Sequence, residues 1–202
     1  TQKSQGVSIA PFEELELTLN NQQVSGEIKY AEENTKYVLR TYFAKEKGEK
    51  PFIIILDGIE DPHNLGSIIR SAVCAGAHGI IIPRRRAVSV TAAACKASAG
   101  AVEYAHIARV ANIANAIARL KDEGLWIAGA DMSGTAMTSA RMEGALALVI
   151  GSEGDGIGRL VKEKCDFLVS IPMFGQIDSL NAAVAAAVLM FEKRRQDGIR
   201  KN

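Results

Sequence analysis

From Pro51 onward, short and continuously apolar runs alternate with amphipathic stretches, and that rhythm restricts the folds open to the chain. The runs are 52–56 "FIIIL", 79–82 "GIII", 104–110 "YAHIARV", 125–130 "LWIAGA", 146–150 "LALVI" and 167–171 "FLVSI". Strands this uniformly apolar are buried on both faces, which is the condition of a parallel sheet covered by helices. Helical spacing fills most of the gaps, at 64–76, 90–99, 112–123, 157–165 and 180–195, while 131–145 is less regular. The alternation predicts one doubly wound, mostly parallel α/β domain over residues 51–202. Residues 1–50 lack clean alternation and read as a linker or N-terminal extension, with 30–50 able to form a helix half-burying Tyr37, Leu39, Tyr42 and Phe43.

Composition narrows the function classes. Of 202 residues, 48% are hydrophobic and 23% charged, which is enough for one good core and is not a disordered composition. The net charge of +1 means that any nucleic-acid binding must come from local clusters rather than a global field. Two clusters qualify, Arg84-Arg85-Arg86 and the tail Lys193, Arg194, Arg195, Arg200 and Lys201; a solvated loop and a solvated helix end are the alternatives. Cys74, Cys95 and Cys165 form no C-x-x-C or C-x-x-H spacing, so neither zinc nor a disulfide framework is indicated. They read as reduced, largely buried thiols of a cytoplasmic protein. The longest apolar runs are too short to span a bilayer, and no secretory signal is laid out at the start. The chain opens at Thr1 without a Met, which reads as a cut from something longer.

In doubly wound sheets the ligand lies beyond the carboxyl ends of the strands, here the loops 57–67, 83–91, 129–135, 151–157 and 172–181. The stretch "LALVIGSEGDGIGRL" (146–160) runs from a strand into four glycines. Its spacing from Gly151 is G-x-x-G-x-G-x-G, not the dinucleotide G-x-G-x-x-G, and Ile171 stands where a ribose-binding acid is wanted. A Gly-Lys-Ser/Thr phosphate loop is absent as well. Turn geometry explains some of these glycines but not Glu153 among them.

The loop "LDGIEDPHNLGSIIRSAVCAGAHG" (56–79) offers Asn64 as a helix N-cap and Gly66-Ser67 as a small-residue opening suited to an anion. Arg70 follows on an otherwise apolar turn and needs a partner: a structural salt bridge, or a phosphate or carboxylate of a ligand. His63 reads as a turn or packing residue rather than a metal ligand or base. In "SIPMFGQIDSLNAAVAAAVLMFEKRR" (170–195), Ser179 is a candidate cap, and Asn181 just inside the helix can bond into neighbouring loops. Ala182, Ala183, Ala185, Ala186 and Ala187 leave that helix smooth enough for a buried core, a tight subunit interface or an unusual chain crossing.

Together these loops resemble the SpoU (TrmH-like) family of RNA ribose 2′-O-methyltransferases over roughly residues 51–195. Asn64 followed six residues later by Arg70 is similar to the family's first motif, "LVIGSEG" with Glu153 to its second, and "IPMFGQIDSLN" with Ser179 and Asn181 to its third. The wording "LDGIEDPHNLGSIIRSA" is especially similar to the branch that methylates a guanosine in the peptidyl-transferase region of 23S rRNA. The resemblance implies the SPOUT methyltransferase fold with a C-terminal trefoil knot, an exception to the rule that chains do not thread loops. It implies a homodimer, S-adenosylmethionine as cofactor, RNA as partner, and neither metal nor membrane.

Carried over residue by residue, the resemblance puts Gly151, Ile171 and Leu180 at the cofactor through their main chain, with Met173, Gly129 and Ala130 nearby. It makes Arg70, Asn64, Glu153, Ser179 and Asn181 the catalytic set. Arg70 is central to activating the ribose hydroxyl in the family; a guanidinium is a poor base, so a clamp on an RNA phosphate is the preferred physical role. Glu153 then orients Arg70 or Asn64, while Arg84, Arg85 and Arg86 meet RNA phosphates. The branch usually carries a small N-terminal RNA-recognition domain; "QGVSIA" (5–10) resembles the end of its linker, so that domain is expected to be missing. Phe174 replaces a residue that is often small in relatives. A tRNA target, an antibiotic-resistance rRNA site and a non-catalytic RNA-binding assembly factor are the alternatives.

Overall fold

A computed structural model describes residues 17–19, 22–24, 44–45, 47–85 and 87–198. The chain divides into two compact units, Thr1–Glu32 and Glu33–Asn202. Within the first, β1 (Leu17–Leu19) and β2 (Gln22–Val24) pair antiparallel, with Thr18 opposite Gln23. Strands this short are too brief for alternation to announce them. Tyr37, Leu39, Tyr42 and Phe43 lie outside the described residues; Ala44 and Lys45 are helical.

The second unit is built on a six-stranded parallel sheet. Its strands are β3 (Phe52–Asp57), β4 (Gly79–Pro83), β5 (Ile107–Val110), β6 (Trp126–Ala136), β7 (Leu146–Gly151) and β8 (Phe167–Ser170), in the order β5-β4-β3-β7-β6-β8. Among the described residues, the helices that cover it are α1 (Pro62–Cys74), α2 (Ala92–Ala97), α3 (Ile113–Asp122), α4 (Arg159–Lys162) and α5 (Ala182–Asp197). Because side chains alternate along a strand, β3 serves two cores. Phe52, Ile54 and Leu56 pack with α1 and α5, whereas Ile53 and Ile55 pack with α3 and Val161 of α4. This double burial is why the strands carry no polar alternation.

The order reverses between β3 and β7: β4 and β5 lie to one side, β6 and β8 to the other. Asp57 and Gly151 are register partners at the carboxyl ends of these two strands. A crevice therefore opens above them, where doubly wound sheets bind ligands.

Several local expectations are corrected. Tyr104 belongs to a 3-10 turn, Ala101–Tyr104, and its ring is exposed, so β5 begins only at Ile107. The loop expected at 129–135 is part of β6. Ala130 and Thr135 both pair with Val169, so the four residues between them bulge out of an otherwise continuous strand.

Asp61, not Asn64, caps α1, accepting from the His63 N–H, and Pro62 takes the first helical position, where its missing N–H costs nothing. Leu65, Ile68, Ile69 and Ala72 are buried at helical spacing. Gly66 serves packing rather than an anion: a Cβ there would lie 2.4 Å from the Ala94 carbonyl of α2.

Two residues of the basic tail, Lys193 and Arg194, are structural cations rather than part of an open surface. Lys193 is fully buried, bonds to Asp197 and to the Gly144 carbonyl (2.8 Å), and its Nζ lies 5.2 Å from the centre of the Phe52 ring. Arg194 donates to the carbonyls of Ala75 and Gly76 and sits 5.1 Å over the same ring. The two cations fasten the end of α5 to the end of α1 and the approach to β7. Arg195 is exposed and pairs with Glu192, while Arg200 and Lys201 lie outside the described residues. Cys74 is exposed and Cys95 and Cys165 are partly buried, so the thiols are more accessible than their apolar neighbours in sequence suggest. Burial pushes the Cys165 thiol up to about 11.

Candidate functional site

Three loops converge beside the β3–β7 crevice, and their polar side chains bond to one another. After β7 the chain turns back on itself: Ser152 and Gly156 exchange backbone hydrogen bonds of 3.1 Å, which sets Glu153 at the tip. Asn64, in the first turn of α1, donates from Nδ2 to Glu153 Oε1 at 3.0 Å. Asn181 donates to Asn64 Oδ1 at 2.9 Å and also to Glu153 Oε1, which further accepts the Ala182 N–H at 3.2 Å.

Asn181, rather than Ser179, is the N-cap of α5, its Oδ1 accepting from Ala183 N (2.9 Å) and Val184 N (3.3 Å). One amide thus caps a helix with its oxygen and ties two loops together with its nitrogen. The Glu153 carboxylate at a helix N-terminus is favoured by the orphan N–H groups and the helix dipole.

A cleft of 260 Å3 lies between this network and the β6–β8 side of the sheet. Gly151, Ile171, Leu180, Met173, Ala130 and Ser179 all line it. Gly129 does not; its open side packs against Cys165 and Leu168, where a Cβ would lie 2.9 Å from each. At Gly151 a Cβ would fall 2.0 Å from the backbone of Gly156, so only glycine lets the hairpin fold this closely over the strand end. The apolar residues Ile150, Val169 and Leu189 line the cleft together with polar ones such as Ser152, Ser170 and Ser179, a mixture that suits a partly apolar ligand.

Asp131, in the bulge of β6, also lines the cleft and was missed from sequence. It accepts from Lys162 Nζ (2.7 Å), Ser133 N (3.0 Å) and Ser133 Oγ (2.6 Å). Burial works to raise its pKa, but the Lys162 and Ser133 hydrogen bonds prevail and hold it at about 2. The Asp-x-Ser pattern of an Asx turn was the available signal. These contacts fix the bulge to α4, and Ser170 Oγ adds a bond to the Gly134 carbonyl at 2.9 Å.

Arg70 stands apart. It is exposed and its side chain makes no hydrogen bond or ion pair among the described residues, so Glu153 orients Asn64 and not Arg70. Arg84 and Arg85 are exposed at the end of β4, Arg84 N bonding the Val110 carbonyl at 2.9 Å; Arg86 lies outside the described residues. His63 is exposed, at the start of α1. Among the described residues no group of three His, Cys, Asp or Glu is placed to hold a metal ion, and no helix is long and apolar enough to cross a membrane.

Residues 51–191 match the model of the SpoU rRNA Methylase family. The chain belongs to that family. YacO of Bacillus subtilis, named for the TrmH family of tRNA/rRNA methyltransferases, is 49% identical over 203 residues, covering 96% of this chain and 80% of YacO. A Staphylococcus aureus protein named for the same family is 49% identical over 156 residues, 76% of this chain but 63% of its own length. The SpoU methyltransferase AviRb from Streptomyces viridochromogenes, solved in complex with AdoMet, aligns with a TM-score of 0.68 at 31% identity over 73% of this chain and 61% of AviRb. An AdoMet-bound rRNA methyltransferase from Sinorhizobium meliloti aligns with a TM-score of 0.67 at 31% identity, over 72% of this chain and 56% of that one. The chain thus spans less than two thirds of the length of several of these SpoU relatives. Its mostly parallel α/β sheet is the SpoU architecture.

Proposed function

We propose that the chain methylates a ribose 2′-hydroxyl of RNA with S-adenosylmethionine as methyl donor, its target a guanosine of 23S rRNA in the peptidyl-transferase region. The observation that carries this reading is the closed set of bonds among Asn64, Glu153 and Asn181, which joins all three family motifs beside one cleft.

The residues present fit the cofactor. The cleft has apolar residues for an adenine ring, and Gly151, Ile171 and Leu180 line it, where their main chain would hold the cofactor's polar groups. S-adenosylmethionine, when bound, supplies a methyl group activated on a sulfonium. Everything else is positioning and charge. Glu153, held by three donors, keeps the hairpin and α5 at a fixed separation, so the cleft is formed before ligand arrives. Ser179 supplies a hydroxyl to its wall.

Arg70, with no partner among the described residues, is available to grip an RNA phosphate and to offset negative charge developing on the ribose oxygen. Arg84, Arg85 and Arg86 add phosphate contacts. Residues 51–202 form the catalytic domain, working in the cytoplasm. Val184 and Phe191, seven residues apart on one side of α5, are exposed, which supports a homodimer through that face.

The decisive experiment compares 2′-O-methyl maps of rRNA and tRNA from wild-type and deletion strains. Loss of one 23S guanosine mark supports the proposal. Loss of a tRNA mark moves the target, and intact maps refute the activity. Arg70→Ala is expected to abolish transfer while S-adenosylmethionine still binds.

A further inference from the structure

A second cavity, of 680 Å3, opens on the other side of the Ser152–Gly156 turn from the cofactor cleft. Its floor is the ends of β3 and β4 at Asp57 and Pro83, and its walls are the first turns of α3 and α4. Asn64 and Glu153 border it, and Glu153 borders the cleft as well, so their hydrogen bond forms part of the partition between the two. The proposed methyl donor occupies only the smaller space. The larger one is left without an assigned ligand.

Its chemistry selects against a phosphate and for a base. Ile59, Ile113 and Leu160 give the cavity apolar surface, and Leu160 is 64% exposed, a cost that a stacked planar ligand would relieve. Among the described residues the charged groups lining it are mainly carboxylates, with Arg85 the one arginine. Asp57, at the end of β3, lies on the floor of the cavity. Its Oδ2 accepts from the Gly158 N–H at 2.8 Å, while Oδ1 has no donor among the described residues. A carboxylate offers about four lone-pair sites, so Asp57 keeps acceptor capacity towards the cavity. Guanine alone among the four bases places two adjacent donors, N1–H and N2–H, on its Watson–Crick edge, the pattern that one carboxylate accepts in parallel. Adenine and cytosine put an acceptor beside their single donor group, and uracil flanks its single donor with acceptors.

We infer that this cavity is a guanine-reading subsite, in which Asp57 accepts from N1–H and N2–H of a guanine in the RNA and Arg85 meets the adjoining phosphate at the rim. The inference rests on the proposed action on RNA and adds how one base is selected.

The test is backbone-amide NMR on the full chain, titrated separately with GMP, AMP, CMP, UMP and S-adenosylmethionine. GMP is expected to shift the amides of Gly58, Ile113 and Gly158, with affinity about tenfold or more above the other nucleotides. Asp57→Asn keeps an oxygen for the Gly158 N–H, so the fold holds, which a thermal melt verifies. It is expected to lower GMP affinity about tenfold and to leave the S-adenosylmethionine shifts at Ile171 and Leu180 in place. Equal binding of the four nucleotides, no GMP shift up to its solubility, GMP shifts confined to the cofactor cleft, or an unchanged D57N titration would each overturn the inference. Failure of the wild type to bind S-adenosylmethionine counts instead against methyl transfer, a signal separate from the guanine series.

Discussion

Asn181 reaches across 117 positions of sequence to donate to Asn64 at 2.9 Å, and the same amide nitrogen bonds Glu153. Its oxygen meanwhile caps α5. The two ends of this side chain do separable work, and substitution can separate them. Asn181→Asp retains a capping oxygen but removes the donor and sets a second carboxylate against Glu153. It is expected to keep the helix cap, to lose some stability to that carboxylate repulsion and to lose most methyl transfer. Asn181→Ala loses the cap too, costing about 1 kcal/mol, or roughly 2–4 °C in Tm for a chain of this size. Melting curves beside transfer assays on both variants check the division.

Gly151 and Gly154 sit in the same turn with opposite tolerance. A Cβ on Gly151 would lie 2.0 Å from the Gly156 backbone, whereas one on Gly154 meets nothing within 4 Å. Gly151→Ala must push the turn off the end of β7, deforming the cofactor cleft and costing about 1–3 kcal/mol. Gly154→Ala is expected to bind S-adenosylmethionine as wild type does. Calorimetry on the two proteins reads the difference, and equal affinities would show that the turn's closeness has no bearing on the cleft.

The sheet was legible because each of β3–β8 overlaps one of the apolar runs, and the three motif loops fall where a doubly wound sheet collects ligands. What stayed hidden depends on partners distant in sequence. Val169 pairs with both Ala130 and Thr135, and nothing local to 129–135 reveals that the strand resumes after its bulge. Lys193 and Arg194 read as a solvated run because the Phe52 ring and the carbonyls that receive them come from other parts of the chain. Asn64 looked like a cap until Asp61-Pro62 took the start of α1, which leaves its amide free to bond Glu153.

Asp131 gives the bulge a pH dependence. Its carboxyl is held at about 2, below the ordinary 3.8, so the folded state favours the ionised form. The stability it contributes is present above about pH 4 and is lost as pH falls through its folded value. Lys162→Met removes the main partner and is expected to return the titration towards 3.8. Carboxyl-carbon NMR of Asp131 in the two proteins between about pH 2 and about pH 5 measures it.

Lys193 and Asp197 form an ion pair with no exposed side-chain surface, at the end of the sheet away from the cleft. Lys193→Ala leaves the buried Asp197 carboxylate with only Arg194 (3.3 Å) and the Gly144 N–H (3.0 Å) as partners and is expected to cost about 1.5–3 kcal/mol. Because the pair touches neither cavity, cofactor affinity per folded molecule is expected to hold. Urea melts followed by binding measurements at temperatures where the variant is folded make the comparison. A parallel loss of affinity would show the two ends of the strands to be coupled.

Arg84 and Arg85 provide the last test, because phosphate contacts have a signature that base contacts lack. Each neutralised phosphate releases condensed counterions, so the logarithm of affinity falls with the logarithm of salt by about 0.7 per contact for single strands and about 0.9 for duplex. Replacing both arginines with alanine is expected to weaken RNA binding at low salt and to flatten that slope by about 1.4–1.8. The loss should be similar for RNAs of different sequence, since neither guanidinium is placed to read a base edge under the proposed arrangement. Asp57→Asn should do the reverse, leaving the slope unchanged and narrowing the preference for guanine-containing RNA. Filter binding of both variants across a salt series separates the two behaviours. An unchanged slope in the double-arginine variant would remove β4's end from the RNA path and shift the electrostatic contact to Arg70 and the face around it.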